Sequence, residues 1–218
     1  MTDSIAQFVA DLAAAQSGTL VNQYRVEIPG LDRPGGAAIR CANLCAYLEA
    51  RVGAPLALIG EAPSAHGARF SGIAFTAERS LPPGQRTSTP GLQPNGFAEH
   101  SATVMRRAFE TVEIDPTRVL LWNAVPFHPR HPDDPLKNRQ PDTDELALGD
   151  KWLERFSSLM SPKATAAVGK WAQALRPNWT PLRHPANGGG PELRAGLARL
   201  AAELDLREAE PLCWANDK

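Results

Sequence analysis

Four short apolar segments decide what this chain can become: "APLALIG" (54–60), "TRVLLWNAV" (117–125), "KATAAVG" (163–169) and "NWTPLRHP" (178–185). Each has the length and the bounding residues of a buried strand. Stretches 101–112, 142–160 and 191–204, between and after them, carry helical recurrence of apolar residues. Two amphipathic helices precede the first strand, in "SIAQFVADLAAAQ" and "GGAAIRCANLCAYLEARVG", with Gly53 placed to stop the second. Strand, crossover, strand, repeated, predicts a parallel sheet covered by helices on both faces. The expected architecture is a three-layer α/β/α fold with a central four-stranded parallel sheet. The 218 residues, 43% of them hydrophobic, suffice for one such domain over 1–218.

Composition excludes several function classes. The opening residues lack a basic n-region and carry Asp11, so they read as a helix and not as a signal peptide. No apolar run approaches transmembrane length, so no membrane partner is expected. Three cysteines do not make a disulfide framework, and helical spacing puts Cys41 and Cys45 on one apolar face. A reduced, cytoplasmic compartment and a monomer are the expectation. A net charge of -1 argues against a polycation and leaves room for a local basic face.

Irregular sequence is concentrated in "RSLPPGQRTSTPGLQPNG" (79–96) and "PFHPRHPDDPLKNRQPD" (126–142). Both follow carboxyl ends of strands, where open parallel sheets place their ligand crevice. Most of their residues are expected to be solvated connectors, including His128, His131 and Asp133, which in principle could bind a metal. Three strand ends are chemically unusual. The first gives Gly60-Glu61-Ala62-Pro63-Ser64-Ala65-His66-Gly67 and then Phe75, the second Asn123-Ala124-Val125-Pro126, and the fourth Arg183-His184-Pro185-Ala186-Asn187-Gly188. Parallel pairing would bring a carboxylate, an amide, an imidazole and an aromatic ring to one crevice. Taken singly, each has an ordinary reading: a turn-forming asparagine, a capping histidine, a core phenylalanine. Trp122 is expected in the core, because its side chain points away from the face of Asn123.

The ordered set "GEAP", "APSAHG…SGIAFT", "LLWNAVP" and "HPANGG" resembles the uracil-DNA glycosylase superfamily. The first motif is similar to family four and its continuation to family five. The resemblance implies release of uracil from DNA by base flipping, with uracil-containing DNA as partner. It implies that His184 hydrogen-bonds the charge developing on the uracil O2. Asn123 would read O4 and N3–H, Phe75 would stack on the base, and Glu61 would orient water or stabilise the sugar cation. Ala62 stands where the best-known branch has a water-orienting aspartate. Ser64 replaces a tyrosine that blocks the thymine methyl there. His66 would contact phosphate or position water, Arg69, Arg86 and Thr87-Ser88-Thr89 would meet phosphates, and Asn187 and Gly188 would lie at the minor groove. Family-four and family-five relatives hold an iron–sulfur cluster with four cysteines, so a chain with three is expected to need no cofactor.

Two rival readings are weighed against this. A serine hydrolase built on Ser64 and His184 lacks the glycine-flanked nucleophile elbow. A non-catalytic or differently specific nucleic-acid-binding member of the same fold is the alternative that Ala62 keeps open.

Overall fold

Every position of β1 (Leu56–Gly60) is buried, which a strand achieves with neighbours on both edges and helices on both faces. β2 (Val119–Asn123) pairs with it in the register Leu56↔Val119 to Gly60↔Asn123. β3 (Ala164–Val168) lies on its other side and β4 (Thr180–Leu182) beyond that, so the order is β2-β1-β3-β4 with all pairs parallel. The computed structural model describes residues 4–207.

Side chains alternate across the sheet and build two cores. Ala57, Ile59, Leu120 and Trp122 meet α1 (Ile5–Ala14), α2 (Gly36–Glu49) and α5 (Thr143–Met160) through Phe8, Leu44, Leu48 and Phe156. Leu56, Leu58, Val119 and Val168 meet α4 (His100–Val112) and α7 (Gly190–Leu204) through Met105, Phe109, Leu193 and Leu197. The architecture is thus the expected three-layer α/β/α fold. Trp122 is a core residue, its ring stacked on Phe156 with centroids 4.7 Å apart. Two short helices, α3 (Ala68–Ser71) and α6 (Lys170–Leu175), have too few residues to announce themselves by periodicity. Among the described residues no helix is long and apolar enough to cross a membrane.

β2 is an edge strand, and a side chain covers its free backbone. The Leu121 N–H donates to the hydroxyl of Tyr47 at 2.7 Å, and that hydroxyl faces the Val119 carbonyl at 3.5 Å. The phenol thereby stands in for a fifth strand over one residue pair. Its burial pushes the Tyr47 pKa up to about 12, so the hydroxyl keeps its proton at physiological pH.

The loop after β1 is tied to the rest of the molecule by charge. Asp32 accepts from Arg40 at 2.9 Å and from both terminal nitrogens of Arg69 at 3.0 and 2.6 Å. All three side chains are buried. Remaining guanidinium protons of Arg40 go to Thr87 Oγ1 and to the Gln23 and Val26 carbonyls, whereas Arg69 Nε is buried without a hydrogen-bond partner. Removing the shared anion would strand two buried cations, which typically costs about 3–5 kcal/mol. Asp32→Ala is accordingly expected to lose on that order of stability in urea denaturation. A loss under ~1 kcal/mol would mean that the triad contributes little to stability.

Candidate active site

Pairing between β1 and β2 continues past their ends. The Gly60 carbonyl accepts from the Ala124 N–H at 2.8 Å, and the Glu61 carbonyl from the Val125 N–H at 2.9 Å. Glu61 and the buried Asn123 are therefore held on adjacent backbones. Gly60 is required there, because a Cβ at this position would lie 2.6 Å from the Phe75 ring and 2.8 Å from Asn123 Oδ1. Phe75 itself has a left-handed φ of 50°, a conformation a bulky residue rarely adopts. Strain of this kind, about 1–3 kcal/mol, persists where surrounding structure fixes it.

His184 follows β4, with its ring centroid 6.4 Å from that of Phe75. Its Nδ1 accepts from the Ala186 N–H at 3.1 Å, which leaves the proton of the neutral ring on Nε2. Burial, with Arg183 nearby, holds its pKa below the ordinary 6.5, so the ring is neutral at neutral pH. Together with Glu61, Ala62, Ser64, Phe75 and Asn123 it lines a cavity of about 430 Å³. Burial pushes the Glu61 carboxyl up, against an opposing pull from Lys170. Burial thus disfavours charge on Glu61 and His184, and the cavity offers two neutral donors, Nε2 of His184 and the Asn123 amide.

The proline-rich stretch 126–142 is solvated in part, as expected at Pro132, Asp133 and Asp134, yet residues 126–129 are buried. Pro129, Asn138, Arg139 and Gln140 also line the cavity. Asn138 accepts from the Ala65 N–H at 2.7 Å, and Arg139 grips Glu145 through both terminal nitrogens. That grip is the main reason the Glu145 carboxyl falls to about 2. Glu145 closes the capping box of α5 with Asp142, and the "DTDE" spacing was a signal that this segment ends in an ordered helix start. His128, expected to be solvated, is fully buried with Nδ1 2.8 Å from the Pro63 carbonyl. Burial lowers its pKa to about 4. Glu99 is a further lining residue that nothing local in the sequence marked.

The structure corrects the expectations for Arg69, Thr87 and Ser88. Arg69 cannot reach a phosphate, because it is wholly buried against Asp32. Thr87 and Ser88 are also buried, their N–H groups donating to Glu78 Oε1. Arg86 is half-buried and donates to the Leu81 and Arg79 carbonyls, so it braces its own loop. His66 is exposed and stacks on Phe97 with centroids 5.1 Å apart, outside the cavity lining. Asn187 and Gly188 are exposed after β4, both with positive φ.

The matched region of known proteins coincides with these elements. The description "Uracil DNA glycosylase superfamily" fits residues 49–188, from the end of α2 through the loop carrying His184. The chain belongs to the uracil-DNA glycosylase superfamily. Membership places it among DNA-repair glycosylases and implies DNA as the substrate. The crystal structure of wild-type Pedobacter heparinus SMUG2 is similar to it, with a TM-score of 0.57 and 13% identity over 92% of this chain and 97% of that one. At this identity the likeness is one of fold. A search of curated proteins finds no match. The iron–sulfur cluster of some superfamily branches does not fit the donor set, for Cys41 and Cys45 are half-buried on α2 and burial raises both thiols. Cys41 further donates to the Tyr24 carbonyl, and Cys213 lies outside the described residues.

The raised Glu61 carboxyl has a consequence for stability. In the folded state it holds its proton to higher pH than when unfolded, so its contribution is most favourable below the ordinary 4.5 and is lost as pH rises through the folded value. Glu61→Gln removes the penalty. The variant is expected to melt higher than wild type at pH 7–8, with the difference vanishing towards pH 4. A constant difference at all pH values would show that the carboxyl is not desolvated.

Proposed function

We propose that the protein hydrolyses the N-glycosidic bond of deoxyuridine in DNA, releasing uracil and leaving an abasic site. The observation that carries this reading is the hydrogen bond from the Ala186 N–H to His184 Nδ1 at 3.1 Å, which leaves the proton of the neutral ring on Nε2. Breaking the C1′–N1 bond leaves positive charge on the sugar and negative charge on the departing base, and a catalyst gains rate by stabilising what develops. His184 donates to uracil O2 as that charge builds. Asn123 offers a donor and an acceptor to O4 and N3–H, and its amide is held beside Gly60. Phe75 forms a face on which the flipped base stacks, a contact worth about 1–3 kcal/mol. Glu61, on the β1 side, orients the attacking water or stabilises the sugar cation. The exposed loop at Asn187 and Gly188 meets the minor groove. No resident metal or cofactor is invoked in any of these steps.

His184→Ala and Asn123→Ala are each expected to lower the single-turnover rate of uracil release by about 10²-fold or more, as for loss of an oxyanion-type donor. Near wild-type rates in both folded variants would remove this pocket from the reaction. Because burial lowers the His184 pKa, protonation of the ring should slow the reaction only in acid, below the ordinary histidine value, and a rate set by this group is unchanged between pH 7 and 8. Excess chelator should leave uracil release unchanged. Ala62, in place of the branch aspartate, favours a second reading as a non-catalytic binder of the same DNA. That reading gives a mobility shift on uracil-containing oligonucleotide without alkali-labile product.

A further inference from the structure

A second cavity runs along the free edge of β2, between α2, α4 and residues 73–81. Its volume of about 490 Å³ is of the size that holds a small molecule. Met105 and Phe109 of α4, Leu121 of β2 and Tyr47 of α2 give it apolar walls, and Phe75 lines both this cavity and the first. Arg51, Arg79 and Arg106 line it too, whereas among the described residues no aspartate or glutamate does. Several of its polar groups are already engaged. The hydroxyls of Tyr47, Thr76 and Thr103 meet the Leu121 N–H and the Ala74 and Glu99 carbonyls at 2.7, 3.1 and 3.0 Å, and Arg106 pairs with Glu110 on the surface. Arg51 is held over the Tyr47 ring, its guanidinium carbon 3.9 Å from the centroid. Its Nε donates to the Pro116 carbonyl at 3.1 Å and its Nη1 to the Tyr47 carbonyl at 3.2 Å, and Nη2 takes part in neither bond. Arg79 is exposed, and its guanidinium has no hydrogen-bond or ion-pair partner among the described residues.

We propose that this cleft is a second ligand site, which takes a small organic anion with an apolar, ring-bearing body. The body lies against Met105, Phe109 and Leu121, and a carboxylate or sulfonate group meets Arg51 and Arg79. A planar guanidinium fixed through part of its donor set, with the rest unengaged, is suited to such a group. Attraction between opposite charges is also stronger beside apolar walls than in open water. A cationic ligand would face three arginines with no carboxylate in the lining to receive it, and a neutral one would gain nothing from Arg51 or Arg79. Apolar area and charge therefore select the same class of compound. Because Phe75 belongs to both linings, the occupant touches the residue that the reading of the first cavity assigns to base stacking. Its binding does not depend on that reading.

The test titrates the full chain with anilinonaphthalene sulfonate, an apolar anion whose fluorescence rises on leaving water. N-phenylnaphthylamine, which has the same rings and no charge, is titrated beside it. One saturable site for the sulfonate is expected, with the neutral compound bound about tenfold or more weakly, the difference expected for a charge-assisted contact. Arg79→Glu should weaken the sulfonate about tenfold or more and leave the neutral compound within about threefold. Thr103→Trp on α4 and Ser80→Trp on the loop each place a ring in the cleft and should remove binding of both compounds. Arg199→Glu, exposed on α7 and outside this lining, makes the same change in net charge and should alter neither affinity. Thermal melting checks that each variant folds, and should Thr103→Trp not fold, Ser80→Trp is read in its place. Equal affinities for the two compounds overturn the proposal, as does sulfonate binding that survives both Arg79→Glu and Ser80→Trp. The absence of saturable binding overturns it too, whether residues 208–218 or a second copy of the chain occupy the cleft instead.

Discussion

One buried carboxylate holds the geometry on which the cavity depends. Asp32 binds Arg40 of α2 and Arg69 of α3 simultaneously, and Arg40 extends the network to Thr87. Thr87 in turn donates to the Phe70 carbonyl, and Glu78 gathers the N–H groups of Thr87, Ser88 and Phe97. The segment between Ala68 and Phe97 is thus fixed from within by ionic and backbone bonds, without a strand or a long helix to carry it. Burying these charges is costly, and hydrophobic residues of equal volume often stabilise as well or better. What the triad supplies is direction: guanidinium and carboxylate have few satisfactory arrangements, and each fixes the path of the backbone that bears it. Phe75, within this segment, takes a left-handed conformation with its ring against Gly60.

The electrostatics of the cavity follow from the same burial. Glu61 and Glu99 are pushed up and His184 is pushed down, all mainly by desolvation. Where burial resists charge on these groups, fixed dipoles have stronger leverage than they have in water. Negative charge developing there would meet the Nε2–H of a neutral imidazole whose Nδ1 is already engaged by the Ala186 N–H. The arrangement conflicts locally with stability, as polar sites prepared for a transition state commonly do.

The sheet was legible because its evidence is local: four apolar segments of strand length, spaced by helical ones. The strand ends were legible for a related reason, since parallel pairing brings chain-distant termini to one side of the sheet. What escaped the sequence were the side-chain contacts of irregular segments whose partners lie far along the chain. Arg69 beside a hydroxyl-rich loop looks like a phosphate contact, and nothing near it announces Asp32, 37 residues earlier. His128 in a proline-rich loop looks solvated, yet its partner carbonyl belongs to Pro63, 65 residues away. Glu99 reads as an ordinary helix start until Ser64 is seen beside it. Burial of polar residues in irregular segments depends on such pairs, and no periodicity reports them.

Tyr47 carries a consequence beyond the packing of β2. By answering the Leu121 N–H it removes a point at which another chain's strand could begin to add. The opposite edge is β4, three residues long and interrupted by Pro181, which has no N–H to offer. With both margins blunted in this way, the sheet is a poor template for recruitment or aggregation through backbone pairing. A large partner is therefore met by loops, and the loops that extend from the strand ends are the ones that enclose the cavity.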